Sequence, residues 1–281
     1  MCGIAGSLIH KAYDIDRKLA CKKMTDSLTH RGPDYQEVID LGDVQLGHNR
    51  LAIIDLHSHA NQPMQSQNKR FWIVFNGEVY NYIELRSELV KLGYRFKTDS
   101  DTEVVLQAWT HWQERALEKF SGMFAFAIWD NVEKSLVLAR DRMGEKPLYY
   151  ASPSSDDFKR EGVIFASELK ALTQHPLVKK RINHQAVNQF LSLNYILTNQ
   201  SIYKNIHKLP PAHSIKFTQG KPPEQYCYWK LSDYYNAPKS PGSLSERIEE
   251  FQSLMTQTVT QEMRSDVKFG SFLSGGLDSS S

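Results

Sequence analysis

Over the first two thirds of the chain, apolar residues come in short runs broken by stretches of helical spacing. Residues 3–9, 44–51, 71–75, 123–130, 135–139, 147–151 and 163–166 are rich in β-branched or aromatic side chains and predict strands. Ile83, Leu85, Leu89 and Leu92 share one helical face, closed by Gly93. Val105, Leu106, Trp109 and Trp112 share another, with Asp101-Thr102 at its start and Glu103 in its first turn. A third helix is expected across 15–28, ahead of the turn Arg31-Gly32-Pro33-Asp34, and a fourth across 183–193 with Asn183 as N-cap. Strands gathered around a few helices predict a layered α+β architecture rather than strict βαβ alternation.

The later pattern differs. Residues 152–162 are polar and read as a surface loop. Pro210-Pro211 and Lys221-Pro222-Pro223 punctuate a connecting region with two short strands, and 238–245 has the Pro, Gly and Ser content of a linker. Ser243 and Glu246 then form a capping box, followed by an apolar stripe of Leu244, Ile248, Phe251, Met255, Val259 and Met263. The apolar run 269–273 reads as a strand entering a Gly-Gly turn, with the helix that should follow not included. The expected division is 1–210, 211–242 and 243–281.

Composition narrows the function classes. Of 281 residues, 34 are Lys or Arg and 32 are Asp or Glu, so nothing favours a nucleic-acid or membrane-surface partner. No apolar run approaches the ~20 residues of a membrane span, and no signal-peptide core leads the chain. Cys2, Cys21 and Cys227 are too few and too scattered for a disulfide framework or a structural zinc site. The histidines have no metal-ligand spacing, so no metal is expected from them. The expected compartment is the cytoplasm.

Candidate chemistry begins with Met1-Cys2-Gly3. Removal of Met1 would give one residue both a thiol and a free α-amine, which titrates near ~8 and can act as base at neutral pH. Arg50 ends an apolar strand, where a guanidinium can hold a carboxylate. Asn76-Gly77 offers an amide beside a backbone N–H, as an oxyanion hole requires, although Asn-Gly is also the commonest hairpin turn. The stretch 98–103 has carboxylates for an ammonium, or simply the makings of a helix cap. Ser274-Gly275-Gly276-Leu277-Asp278-Ser279 has the character of a phosphate-cradling loop or of an ordinary Gly-rich turn.

Taken together, MCGIAG (1–6), HRGPD (30–34), HNRLAIIDL (48–56), FNGEVYNY (75–82), TDSDTE (98–103), GMFAFAIWD (122–130), LARDRMGEKPLYY (138–150), FASELKAL (165–172) and SGGLDSS (274–280) resemble glutamine-hydrolysing asparagine synthase, of the class II glutamine amidotransferase type. The resemblance implies a four-layer αββα sandwich followed by the start of a doubly wound α/β domain. It implies Cys2 as nucleophile, with Asn76 and the Gly77 N–H stabilising the oxyanion. Arg50 would take the glutamine α-carboxylate and Glu78 and Asp101 its ammonium, with Leu51, Ile53 and Ile54 nearby. Leu273, Ser274, Gly275, Gly276, Asp278 and Ser279 correspond to the family's ATP loop. ATP and Mg2+ would serve amidation of aspartate in the full-length enzyme, and none is needed for the glutaminase half. A homodimer is compatible with the family. The chain matches only the start of the second domain, so it is expected to act as a glutaminase fragment. A paralogue amidating another carboxylate and a non-catalytic binding or regulatory member are the alternatives. Retention of Met1 would remove the base.

Overall fold

The structure, a computed structural model, describes residues 1–10, 13–153, 157–197, 199–238 and 242–280, the side chains of Ser279 and Ser280 excepted. The strands are β1 (Gly3–Ile9), β2 (Tyr35–Asp40), β3 (Val44–Arg50), β4 (Met64–Gln65), β5 (Phe71–Val79), β6 (Gly122–Asp130), β7 (Ser135–Arg140), β8 (Tyr149–Ala151), β9 (Gly162–Ala166), β10 (His207–Lys208), β11 (His213–Thr218) and β12 (Glu224–Cys227). They form two six-stranded sheets, ordered β10-β8-β9-β1-β3-β2 and β12-β11-β7-β6-β5-β4. Neighbours in both sheets are antiparallel.

Strand alternation builds the layers. In β6, Ala125, Ala127 and Trp129 face the first sheet, where they meet Ile4, Leu8, Leu46 and Phe165. Phe124, Phe126 and Ile128 point the other way, onto a core that includes Leu85 and Leu89 from helix Tyr82–Lys91 and Val105 and Trp109 from helix Asp101–Trp112. On the far side of the first sheet, Ala5, Ile164 and Ala166 pack against Met24 of helix Arg17–Asp26 and Leu172 of helix Leu169–Leu172. The order is helix, sheet, sheet, helix. Because the inner strands are covered on both faces, they read as nearly continuous apolar runs.

The helices start where their caps stand. Ser100 accepts the amide of Glu103 (3.2 Å) and Asn183 accepts that of Ala186 (3.4 Å). In the polar stretch expected to be a loop, residues 154–156 lie outside the described part, but Phe158–Glu161 makes one helical turn capped by Asp157. Gly162 already belongs to β9. The two strands of the connecting region, β11 and β12, extend the second sheet, and Ile215 and Phe217 enter the core between the sheets.

Within the expected linker, residues 239–241 lie outside the described part. Helix Leu244–Glu262 then begins at a complete capping box, with the Ser243 amide donating to Glu246 Oε2 (2.7 Å). Leu244, Phe251, Met255 and Val259 of its stripe remain exposed. One expectation fails here: 269–273 is not a strand. A strand needs a neighbour for its N–H and C=O groups, and no described strand lies beside this run. Phe269, Phe272 and Leu273 are exposed. The helix expected to be lacking after the Gly-Gly turn is present as one turn, Leu277–Ser280.

Candidate active site

Cys2 stands immediately before β1, at one end of the gap between the sheets. The Arg31 guanidinium donates to its carbonyl (Nε, 2.9 Å) and is itself held by Glu168 (Nη1, 2.8 Å). The Ile4 amide donates to Ser167 Oγ (3.0 Å), so the first residues of the strand are tied down beyond the sheet ladder. The Leu51 amide donates to Cys2 Sγ at 3.4 Å. Burial pushes the Cys2 thiol above its ordinary value. The α-amine of Met1 lies beside it and is held down, by burial first and then by the Arg31 and Lys146 charges, against an upward pull from Cys2. A depressed amine is more often the free base at neutral pH.

Opposite the thiol runs the edge of β5. Paired with β4 only through Ile73 and Trp72, this strand leaves its later residues without a strand neighbour on that side. Antiparallel geometry turns alternate amides toward the free edge. The Phe75 amide donates to Gln62 Oε1 (2.6 Å) and the Val79 amide to Asp101 Oδ2 (3.0 Å). The Gly77 amide lies between them on the same edge, facing the cleft. Glycine is needed there: an added Cβ would fall 2.2 Å from the Met123 carbonyl oxygen on β6. Asn76 and Gly77 pair with Ala125 and Phe124 in mid-ladder, so this Asn-Gly is not a hairpin turn. Both polar side-chain atoms of Asn76 are buried without a hydrogen-bond partner.

Cys2, Arg50, Leu51, Ile53, Ile54, Asn76, Gly77, Glu78 and Asp101 all line one cleft, together with Met1. Arg50 is oriented differently from the sequence expectation of a guanidinium aimed at a ligand. Its Nη1 donates to the His57 carbonyl (2.8 Å) and Asn61 Oδ1 (2.7 Å), and its Nη2 to the Ile54 (3.4 Å) and Asp55 carbonyls. It thereby shapes the loop after β3. Asp101, at the start of its helix, is pushed up to about 7 by burial first, with Glu78 adding to the rise. Burial raises Glu78 as well. Glu103 is occupied elsewhere, accepting the amides of Lys97 (2.9 Å) and Thr98 (2.7 Å).

Lys146 escaped the sequence reading. Its ammonium lines the cleft, nearly buried, against the thioether sulfurs of Met123 (2.7 Å) and Met1 (3.4 Å). Ser100 and Thr102, from the stretch 98–103, also line it, as do Gln62 and Met123. The only signal for Lys146 lay in the motif 138–150, since an isolated lysine has no periodicity.

The loop 273–279 stands apart. Leu273 and Leu277 are exposed and an added Cβ on Gly275 would meet nothing within 4 Å. The side chain of Ser279 lies outside the described part. Hydroxyls and glycine amides along this loop have the donor chemistry for a pyrophosphate. Among the described residues no group of three or more His, Cys, Asp or Glu could hold a metal ion. No helix among them is long and apolar enough to cross a membrane.

A helix–sheet–sheet–helix sandwich with a thiol at the head of an inner strand has the architecture of the N-terminal-nucleophile hydrolases. Residues 1–229 match the glutamine amidotransferase domain, and the chain belongs to that family. Residues 250–281 match the asparagine synthase family. Asparagine synthetase 3 (glutamine-hydrolyzing) of Bacillus subtilis is 36% identical over 283 residues, covering 100% of this chain and 44% of that protein. A putative asparagine synthetase 2 of Methanocaldococcus jannaschii is also 36% identical, over 100% of this chain and 56% of its own length. The chain thus spans about half the length of these relatives. Among solved structures, glutamine phosphoribosylpyrophosphate amidotransferase from B. subtilis, complexed with ADP and GMP, superposes with a TM-score of 0.55. That match covers 81% of this chain and 49% of the other at 20% identity, a likeness of fold alone.

Proposed function

We propose that the cleft hydrolyses glutamine to glutamate and ammonia, with Cys2 as nucleophile once Met1 is removed. The observation that carries this reading is the facing pair: a thiol at the head of β1 and, across the cleft, the unpartnered amide of Asn76 beside the Gly77 N–H. The α-amine of Cys2 accepts the thiol proton and the sulfur attacks the side-chain carbonyl carbon of glutamine. The resulting oxyanion is held by Asn76 Nδ2 and the Gly77 amide. Collapse breaks the C–N bond, the proton passes from the amine to the leaving nitrogen, and ammonia departs from a thioester. Water, activated by the same amine, releases glutamate. Arg50 supplies positive charge for the substrate carboxylate, Asp101 and Glu78 take the ammonium, and Leu51, Ile53 and Ile54 form the adjoining wall.

The match of residues 250–281 to asparagine synthase supports a second half that uses ATP and Mg2+ to amidate aspartate with this ammonia. Leu273, Ser274, Gly275, Gly276, Asp278 and Ser279 are its proposed nucleotide loop. We divide the chain into a glutaminase unit (1–210), a connection (211–242) whose strands lie on the sandwich, and the start of a synthetase unit (243–281). A cytoplasmic enzyme acting on small molecules, with a homodimer as its proposed assembly, completes the reading.

Glutamate release tests it. Cys2→Ala should lower turnover by about 10³-fold or more while leaving the circular dichroism spectrum unchanged. Turnover comparable to the parent chain would refute the nucleophile assignment.

A further inference from the structure

Asp55 is a crossing point of the loop that forms one wall of the cleft. Its backbone is left-handed (φ 53°), a conformation unusual for a residue with a side chain. Its carboxylate accepts the amides of His57 (3.1 Å) and Asp99 (2.8 Å) and meets the His59 ring (2.8 Å), while its carbonyl accepts from Arg50. The Asp55 amide donates to Asp266 Oδ2 (2.7 Å), and the Asp266 amide donates to the Ile53 carbonyl (3.0 Å). Two bonds of opposite direction fix residues 53–55 against the segment that follows the long C-terminal helix.

That segment is anchored a second time. Arg264 donates to both Glu84 carboxylate oxygens (2.8 and 2.6 Å) and to the carbonyl of Tyr80, the residue after β5. Arg264 and Asp266 therefore grip both walls of the cleft: the Ile53–Ile54 loop and the chain leaving the Asn76–Gly77 strand. Both residues fall in 250–281, the part that matches asparagine synthase. The remaining links run onward from Asp55, through Arg50 on one side and through Asp99, two residues before Asp101, on the other.

We propose that Asp266 is a positioning residue for the glutamine cleft, acting through Asp55, so that seating of the asparagine-synthase-like segment sets the affinity for glutamine. This rests on the glutaminase reading of the cleft. Loss of the Asp266 carboxylate leaves the Asp55 amide without its acceptor and frees a left-handed residue to relax, carrying Ile53, Ile54 and the acceptors of Arg50 with it. Linkage makes the effect reciprocal: a ligand that orders the loop also tightens the grip on Asp266.

The test uses the whole chain and two readouts, glutamate-release kinetics and amide hydrogen exchange of residues 53–56. Asp266→Ala should raise the KM for glutamine by about tenfold with kcat within about twofold, and should speed exchange in 53–56. Asp266→Asn, which keeps an oxygen acceptor, should recover most of both effects, and Arg264→Ala should reproduce them more weakly. Unchanged KM and unchanged exchange in Asp266→Ala would overturn the proposal, as would equal losses of kcat and of melting temperature in the alanine and asparagine variants. A parent chain that releases no glutamate would overturn the glutaminase reading instead, and exchange at 53–56 would still decide whether Asp266 holds the loop.

Discussion

Asn76 is buried with neither polar atom of its amide paired, a condition that costs stability unless a partner arrives. Asn49 of β3, opposite Gly3 of β1, shares it but lies outside the cleft lining. What sets Asn76 apart is its place beside an edge amide and across from a thiol. Residue chemistry alone made Cys2, Arg50, Asn76 and Asp101 candidates, since each is of a type the reaction needs. The sequence could not say where their atoms point: Arg50 turned to its own loop, and Lys146 came in from a stretch without pattern. Asp101 leads to a pH prediction. Its folded value near 7 lies above the ordinary 3.8, so burial disfavours the charged form and the group costs stability as pH rises between those values. The neutral form prevails below pH 7 and cannot pair with an ammonium. The KM for glutamine should therefore fall as pH rises through about 7, by up to about tenfold per unit, and Asp101→Asn should raise KM and flatten the profile. A profile unchanged by Asp101→Asn would remove Asp101 from the ammonium site.

At the scale of elements, strands and helices with strong local signals were legible. β1 and β6 are dense in apolar residues because both their faces are covered, and helices Asp101–Trp112 and His184–Leu193 carry their caps in the sequence. β4 and β10, of two residues each, hold no periodicity to read, and β2 lies half-exposed at a sheet edge. Local pattern also misled at 269–273, where an apolar run lacks a neighbour to pair with. Asn76-Gly77 shows the opposite case, a turn signature placed in mid-strand because β6 approaches too closely for any side chain. Gly77→Ala should consequently destabilise the chain by about 2 kcal/mol or more and lower its melting temperature, since backbone must move to admit the methyl group. An unshifted melting temperature would mean that β5 and β6 are not held at this distance.

For the whole molecule, the layered architecture followed from the mixture of strands and helices, while the pairing order of two six-stranded sheets did not, because register and crossover depend on partners far apart in sequence. The sandwich gives the site its form. Cys2 enters from one sheet and Asn76–Gly77 from the other, so the cleft exists only when the two inner faces are packed. The exposed stripe of helix Leu244–Glu262 lies outside that body, and the Arg264–Asp266 grip links the following segment to the cleft. The central claim, a glutamine-specific nucleophile at the head of β1, is tested most directly by incubating the purified chain with 6-diazo-5-oxo-norleucine and mapping the product by intact mass and peptide analysis. The account predicts one adduct, on Cys2 as the N-terminal residue, and its suppression by excess glutamine. A chain lacking Met1 that stays unmodified, or an adduct that forms on Cys21 or Cys227 instead, would contradict it.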